Sequence, residues 1–298
     1  MKTLKATLFL LVFIVALAGC KQKAGDSEEQ TREAENQEVT QPELVKKWST
    51  DSVLKVPEPV CYDPENEVLY VSNIQGKPTE KDGKGFISRL STEGEMMNLE
   101  WVTGIDAPKG MGVYEGKLYV TNIDEIVEID IAKGEIANRY PCTDAKFAND
   151  IAINDEGVVF ASDMSTGRIY RLMDGKAETW LESDQLKSPN GLFTTEDHLM
   201  IGIDGAVLKV AYGSDQLENH ISNTGGIDGL EAVDNEYFIK SDWAGHIHLI
   251  HPGKEKMLLL DTADDNIQAA DIEYVPALKM VYVPTFHDNR VTAYELKM

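Results

Sequence analysis

Short apolar runs alternate with turn-forming clusters along most of the chain, and beyond the N-terminus no stretch carries a helical stripe. Three runs share one shape: Val68-Leu69-Tyr70-Val71-Ser72-Asn73, Lys117-Leu118-Tyr119-Val120-Thr121-Asn122 and Val158-Val159-Phe160-Ala161-Ser162-Asp163. Three more follow it loosely: His198-Leu199-Met200-Ile201-Gly202, Glu236-Tyr237-Phe238-Ile239-Lys240-Ser241-Asp242 and Lys279-Met280-Val281-Tyr282-Val283-Pro284. Runs this short, rich in β-branched and aromatic residues and bounded by turn residues, predict strands. Each is preceded by another short strand that opens on a triplet. The triplets are Pro57-Glu58-Pro59, Pro108-Lys109-Gly110, Ala148-Asn149-Asp150, Pro189-Asn190-Gly191, Ile227-Asp228-Gly229 and Ala270-Asp271-Ile272.

Measured between the middle residues of these triplets, the steps are 51, 40, 41, 38 and 43 residues. Four short strands recurring at a step near 40 predict an all-β, six-bladed β-propeller with four-stranded antiparallel blades. The same hairpin recurs in two units: Ser162-Asp163 leads to Gly167-Arg168-Ile169-Tyr170, and Ser241-Asp242 leads to Gly245-His246-Ile247-His248. The longer first step is explained by a Gly/Lys/Asp-rich insertion, Gln75 to Gly85, which reads either as a lid or as a surface loop.

The N-terminus has a different pattern. Lys2 and Lys5 precede an uncharged run, Leu8 to Leu17, too short to span a bilayer. That is a secretory signal pattern. Leu17-Ala18-Gly19-Cys20 resembles the bacterial lipobox, which implies lipidation of Cys20 and a membrane contact through the lipid anchor only. Lys21, rather than Asp, at the next position agrees with the outer membrane if the host is Gram-negative. The expected organisation is a lipoprotein signal peptide over 1–19, a flexible acidic tether over 20–44, and the propeller over 45–298. The tether holds Glu28, Glu29, Glu33, Glu35 and Glu38 among Gln, Ser and Thr, too little apolar surface to offset ordering.

Charge narrows the function. The net charge is -23, and removal of residues 1–19 makes it -25. Nucleic-acid phosphates demand a basic footprint, so nucleic acid is excluded as a partner. The acidity reads first as a solvated surface, with a cation-binding cluster as the sharper alternative. Cys61 and Cys142 read as two small buried hydrophobes rather than a bridge, and no cysteine spacing suits zinc.

The innermost strand of each propeller blade lines the central channel, and its opening turn sits at one mouth. Glu58, Lys109, Asn149, Asn190, Asp228 and Asp271 are therefore expected to converge on one axis. Oxygen ligands in such a ring suit Ca²⁺, Mg²⁺ or Mn²⁺. Residues of these types also favour turns, so a purely structural ring is the other reading.

With these motifs in place, residues 50 to 298 resemble the SMP-30/gluconolactonase family (regucalcin-like, six-bladed). The resemblance implies one divalent metal held by Glu58, Asn190 of Asn190-Gly191, and Asp228 of Asp228-Gly229. Ca²⁺ is the first choice, with Mn²⁺ or Zn²⁺ next. It implies that Asn149 of Asn149-Asp150 faces substrate, and Lys109 could add a positive group there. The implied chemistry is metal-assisted hydrolysis of a lactone or small ester, with Asp228 positioning or deprotonating the attacking water. The chain departs from the family pattern at two places. The first motif reads Glu58-Pro59-Val60-Cys61-Tyr62 in place of Glu-Gly-Pro and an aromatic, and the family's substrate-binding Arg is Phe147 here.

Two readings follow: a lipid-anchored, metal-dependent hydrolase of the cell envelope acting as a monomer on a small molecule, or a non-catalytic propeller that binds a ligand or a protein. Aromatic residues at the channel mouth would favour a small-molecule pocket. Trp243 is read as blade-packing core. His246 and His248 alternate onto one face of a strand, with His251 near. They read as an exposed outer strand, with zinc as the sharper alternative. No nucleophile elbow and no Walker-type phosphate loop occur.

Overall fold

The structure, a computed structural model, describes residues 41–298. The segment read as a signal peptide, Cys20 and most of the segment read as a tether lie outside the described residues. Within them the chain forms six four-stranded antiparallel sheets arranged as a six-bladed β-propeller. One short 3₁₀ turn at Phe286–Asp288 is the only helical element among the described residues. No helix there is long and apolar enough to cross a membrane.

Blade 1 takes its strands from Pro57 to Ile105, blade 2 from Pro108 to Pro141 and blade 3 from Ala148 to Glu182. Blade 4 runs from Leu192 to Ser222 and blade 5 from Leu230 to Asp261. Each of these five is built from consecutive strands, innermost first. Blade 6 differs. Its three inner strands lie between Glu273 and Lys297, and its outermost strand is Glu43–Ser49 from the other end of the chain. This strand starts inside the segment assigned to the tether. Its pairing, Lys46 with Tyr294 and Trp48 with Ala293, closes the ring and covers the outer edge of Val291–Lys297. Trp48 fixes the join: its ring lies 5.8 Å from Tyr282, and its indole N–H donates to the carbonyl of Thr92 at 3.2 Å.

The core lies between blades rather than within them, because each sheet is apolar on both faces. Six hydrophobic clusters fill the six blade interfaces. Tyr70 of blade 1, for example, packs with Leu118 and Val120 of blade 2. Phe160 of blade 3 packs with Leu199 and Ile201 of blade 4. Ile239 of blade 5 packs with Tyr274 and Val281 of blade 6, and the ring is completed where Leu69 of blade 1 meets Tyr282 of blade 6. Cys61 and Cys142 belong to different interfaces, and both are buried free thiols, pushed up from the usual thiol range mainly by burial.

Candidate functional site

The strand pairing explains why the opening triplets point at the axis. In blades 1 to 3 the ladder breaks across the triplet, between Pro57 and Val60, Pro108 and Met111, and Ala148 and Ile151. A local break of this kind turns a side chain out of the sheet's regular alternation. In blades 4 to 6 the triplet precedes the strand. There it is tied to the neighbouring strand by Asn190 N–H to Gly202 O at 2.9 Å and Asp228 N–H to Ser241 O at 3.0 Å.

Glycine follows three of the ring residues for a steric reason. None of Gly110, Gly191 and Gly229 has positive φ, so turn conformation does not require them. A Cβ on Gly110 would lie 2.4 Å from Asn149 O, one on Gly191 2.5 Å from Asp228 O, and one on Gly229 2.5 Å from the backbone nitrogen of Ile272. Each glycine lets the next blade's triplet approach. Hydroxyls of the second strands assist: Thr121 donates to Asn149 O, and Ser241 donates to Ala270 O at 2.6 Å while accepting from Gly229 N–H at 2.8 Å.

Five of the six ring residues, Glu58, Lys109, Asn149, Asn190 and Asp228, line one cavity of about 550 Å³ at the channel mouth. All five are buried. The sixth, Asp271, is buried beside them without lining the cavity. Asn190 donates its amide to Asp228 Oδ1 at 2.8 Å. Glu58 is 6% exposed, and its Oε2 has no hydrogen-bond partner among the described residues. Burial holds the Glu58 carboxyl well above the usual range; Asp228 and Asp150 add to the rise and Lys109 opposes it. Burial likewise pushes Asp228 up to about 7, against the pull of the Asn190 amide. Asp150 reaches about 6, again through burial, while accepting the N–H groups of Ile151 and Leu192, both at 2.6 Å. Below the mouth, Glu231 and Glu273 are raised by burial too.

Lys109 is 1% exposed. Its amine donates to Pro78 O at 2.9 Å and Ala107 O at 3.2 Å and stands 4.6 Å from the centre of the Phe147 ring. Burial lowers it to about 8, with Glu58 resisting. The contact to Pro78 ties the Gln75–Gly85 insertion to the site, and Gly76 and Pro78 line the cavity. The insertion reaches over the mouth.

Two expectations are corrected. Trp243 is not blade core: it is 51% exposed and lines the cavity. The reason is its place on the three-residue turn joining Asp242 to His246, which projects from the mouth face. The strand bearing His246 and His248 is the third of blade 5, not an exposed outer strand, and His248 is buried. Their rings are 6.0 Å apart, and His246 bonds Asp242 at 2.9 Å. Among the described residues no group of three or more His, Cys, Asp or Glu side chains is arranged to hold a metal.

The sequence reading missed Ile74, Met164 and Phe286, which also line the cavity. Their signal is the repeat itself. Ile74 and Met164 stand one residue past the Asn or Asp that ends a second strand, as Trp243 does after Asp242, and Phe286 follows Thr285 at the same place in the repeat, just beyond Met280–Pro284.

No family model matches the chain, and no curated protein matches it. Among solved structures, a streptogramin B lyase superposes with a TM-score of 0.60 at 14% identity, covering 86% of this chain and 98% of that one. Hydrazine synthase of Kuenenia stuttgartiensis gives 0.61 at 15% identity, covering 82% and 77%. At such identity the likeness is one of fold. This chain is a β-propeller.

Proposed function

We propose that the channel mouth is the active site of a divalent-metal-dependent hydrolase of lactones or small esters. The observation that carries this reading is Glu58 Oε2, a buried carboxylate oxygen without a partner, in a cavity it shares with Asp228 and Asn190. A buried carboxylate is costly unless paired. The donor set is two carboxylates and an amide, all oxygen ligands, which suits a hard cation such as Ca²⁺ better than a thiophilic one. Glu58, Asn190 and Asp228 would hold the ion. When bound, a divalent cation supplies Lewis-acid polarisation of an ester carbonyl.

Asp228 is the proposed catalytic residue. Its carboxylate is oriented by the Asn190 amide, and a carboxylate so held can take the proton of an attacking water. Asn149 would orient a polar group of the substrate. Lys109 would act mainly on the cavity itself, since its amine is engaged by Pro78 and Ala107. The apolar walls favour a small organic molecule over a protein partner. They also keep a second reading open, ligand binding without catalysis, because that engagement leaves Lys109 little to offer a substrate. The envelope location and the lipid at Cys20 belong to the same proposal.

The test is pH-stat hydrolysis of a lactone and ester panel by residues 40–298, with Ca²⁺, Mn²⁺ or Zn²⁺ and then with chelator. Turnover that needs metal and disappears in Asp228→Ala supports the hydrolase. A folded protein that binds panel members without turning any over supports the binding reading. For the anchor, labelled palmitate should enter the wild type and not Cys20→Ser.

A further inference from the structure

We propose that this cavity selects ligands carrying an aromatic or similarly flat apolar ring, gripped by Trp243 and Phe286, with the ligand's polar end turned to Glu58, Asn190 and Asp228. The inference rests on reading the mouth as a small-molecule site. Trp243 comes from blade 5 and Phe286 from the turn after the second strand of blade 6. In a six-membered ring these blades stand across the axis from blades 2 and 3, which supply Lys109 and Phe147. The cavity therefore has aromatic groups on both sides and a polar ring between them.

The aromatic pair is built rather than incidental. Trp243 and Phe286 meet edge to face with ring centres 5.7 Å apart, and His287 meets Trp243 at 6.1 Å. Aromatic rings in such T-shaped clusters offer further edges and faces to a third ring, and Trp243 keeps half its surface exposed at the cavity. Trp243 and Phe286 line the cavity together, and ligand pockets are lined in this way by aromatic side chains with a few polar groups among them. Phe286 is held at φ 47°, a left-handed conformation that bulky residues rarely adopt. Such strain persists where surrounding structure enforces it, commonly at ligand sites. Here Phe286 packs against the small cluster of Ile74, Ala107 and Ile123.

A sugar ring can also lie on a tryptophan, but its hydroxyls then need polar partners on every side, donors as well as the acceptors that Glu58 and Asp228 supply. Part of the donor capacity here is already engaged by the protein. Two of the three Lys109 N–H groups go to backbone carbonyls, one Asn190 amide hydrogen goes to Asp228, and the Asn149 amide faces Met164 Sδ at 3.9 Å. Phe147 and Met164 add apolar surface where a polyol would want polar partners.

The test uses two lactams, which keep the ring and carbonyl of a δ-lactone but resist hydrolysis: one benzo-fused, one polyhydroxylated. The protein is labelled with 5-fluorotryptophan, and the Trp243 resonance is assigned by its loss in Trp243→Phe; Trp48, Trp101 and Trp180 serve as internal references. The benzo-fused lactam should shift the Trp243 signal and bind at least about ten-fold more tightly than the polyhydroxylated one. Trp243→Ala should weaken it about ten-fold, and Trp243→Phe should retain most of the affinity. Equal or tighter binding of the polyhydroxylated lactam, an indifferent Trp243 signal, or full affinity in Trp243→Ala would each overturn the proposal. Ring binding at Trp243 without hydrolysis of any lactone would sink the catalytic reading and leave this one standing. Lactone turnover with a silent Trp243 would do the reverse.

Discussion

Gly191 stands so close to Asp228 that a methyl group on its Cα would lie 2.5 Å from the Asp228 carbonyl oxygen. The glycine after a ring residue is thus a spacer between blades, and its replacement should act on the next blade's side chain. Gly191→Ala forces the Asp228 backbone away, an overpacking that costs about 1–3 kcal/mol. For a domain of this size that is a fall in Tm of roughly 2–4 °C per kcal/mol. Gly213→Ala is the control, since nothing lies within 4 Å of its Cβ position and its φ is not positive. Thermal unfolding of both variants checks this: equal Tm values would mean that the blades give way without strain.

The unpartnered Glu58 oxygen leads to a prediction about metal removal. If Glu58 helps hold a cation, wild-type protein should gain stability from Ca²⁺ and lose it to chelator. At a hundred times its Kd a cation adds about 2.7 kcal/mol. Glu58→Gln removes one ligand charge and relieves the repulsion from Asp228 and Asp150. It should therefore be at least as stable as wild type in chelator and respond weakly to Ca²⁺. Differential scanning calorimetry with and without Ca²⁺ reads both effects. A wild-type Tm that ignores every divalent ion would remove the basis for the metal site.

The blade repeat was legible because it is local: turn triplet, short strand and a Tyr-Val-Ser-Asn type of run recur whatever the tertiary detail. The ring of triplet residues followed from topology alone, since in a propeller equivalent positions share an axis. What sequence reasoning missed depends on contacts between distant segments. Glu43–Ser49 has too few apolar positions to stand out beside a tether, and it becomes a strand by pairing with Val291–Lys297. Trp243 read as core because tryptophan generally is buried; its exposure comes from a tight turn beside the axis. The apolar lining could have been found by aligning Ile74, Met164, Trp243 and Phe286 in the repeat.

Lys109 should act as a latch for the insertion above the site. Its amine holds Pro78 O at 2.9 Å, and a buried lysine donating to backbone carbonyls is strongly localised. Lys109→Met keeps a similar apolar stem and removes the donor. The loop from Gln75 to Gly85 should then open more often, and trypsin should cut after Lys81 or Lys84 faster than in wild type. Local opening is what limits such cleavage when reclosing is fast. The rest of the blade should resist as before, so an unchanged cleavage rate would show that the loop is held by other contacts, such as Lys81 to Asp124.

Glu273, on the innermost strand of blade 6, gives a pH dependence with a defined sign. Burial pushes its carboxyl up to about 8, Asp150 adds to the rise, and a backbone hydrogen bond at Tyr62 opposes it. Glu231 beside it is raised by burial and by the Glu273 charge. The folded state therefore holds a proton that the unfolded chain releases near 4.5. The stability this contributes is fully present below that pH and is lost as pH rises toward 8. Glu273→Gln cannot ionise, so it should match wild type near pH 4.5 and exceed it at pH 8 by on the order of 1 kcal/mol or more. Urea unfolding in chelator at the two pH values measures the difference directly. Parallel wild-type and variant stabilities across this range would mean that water in the channel solvates Glu273 well enough to keep it an ordinary carboxylate.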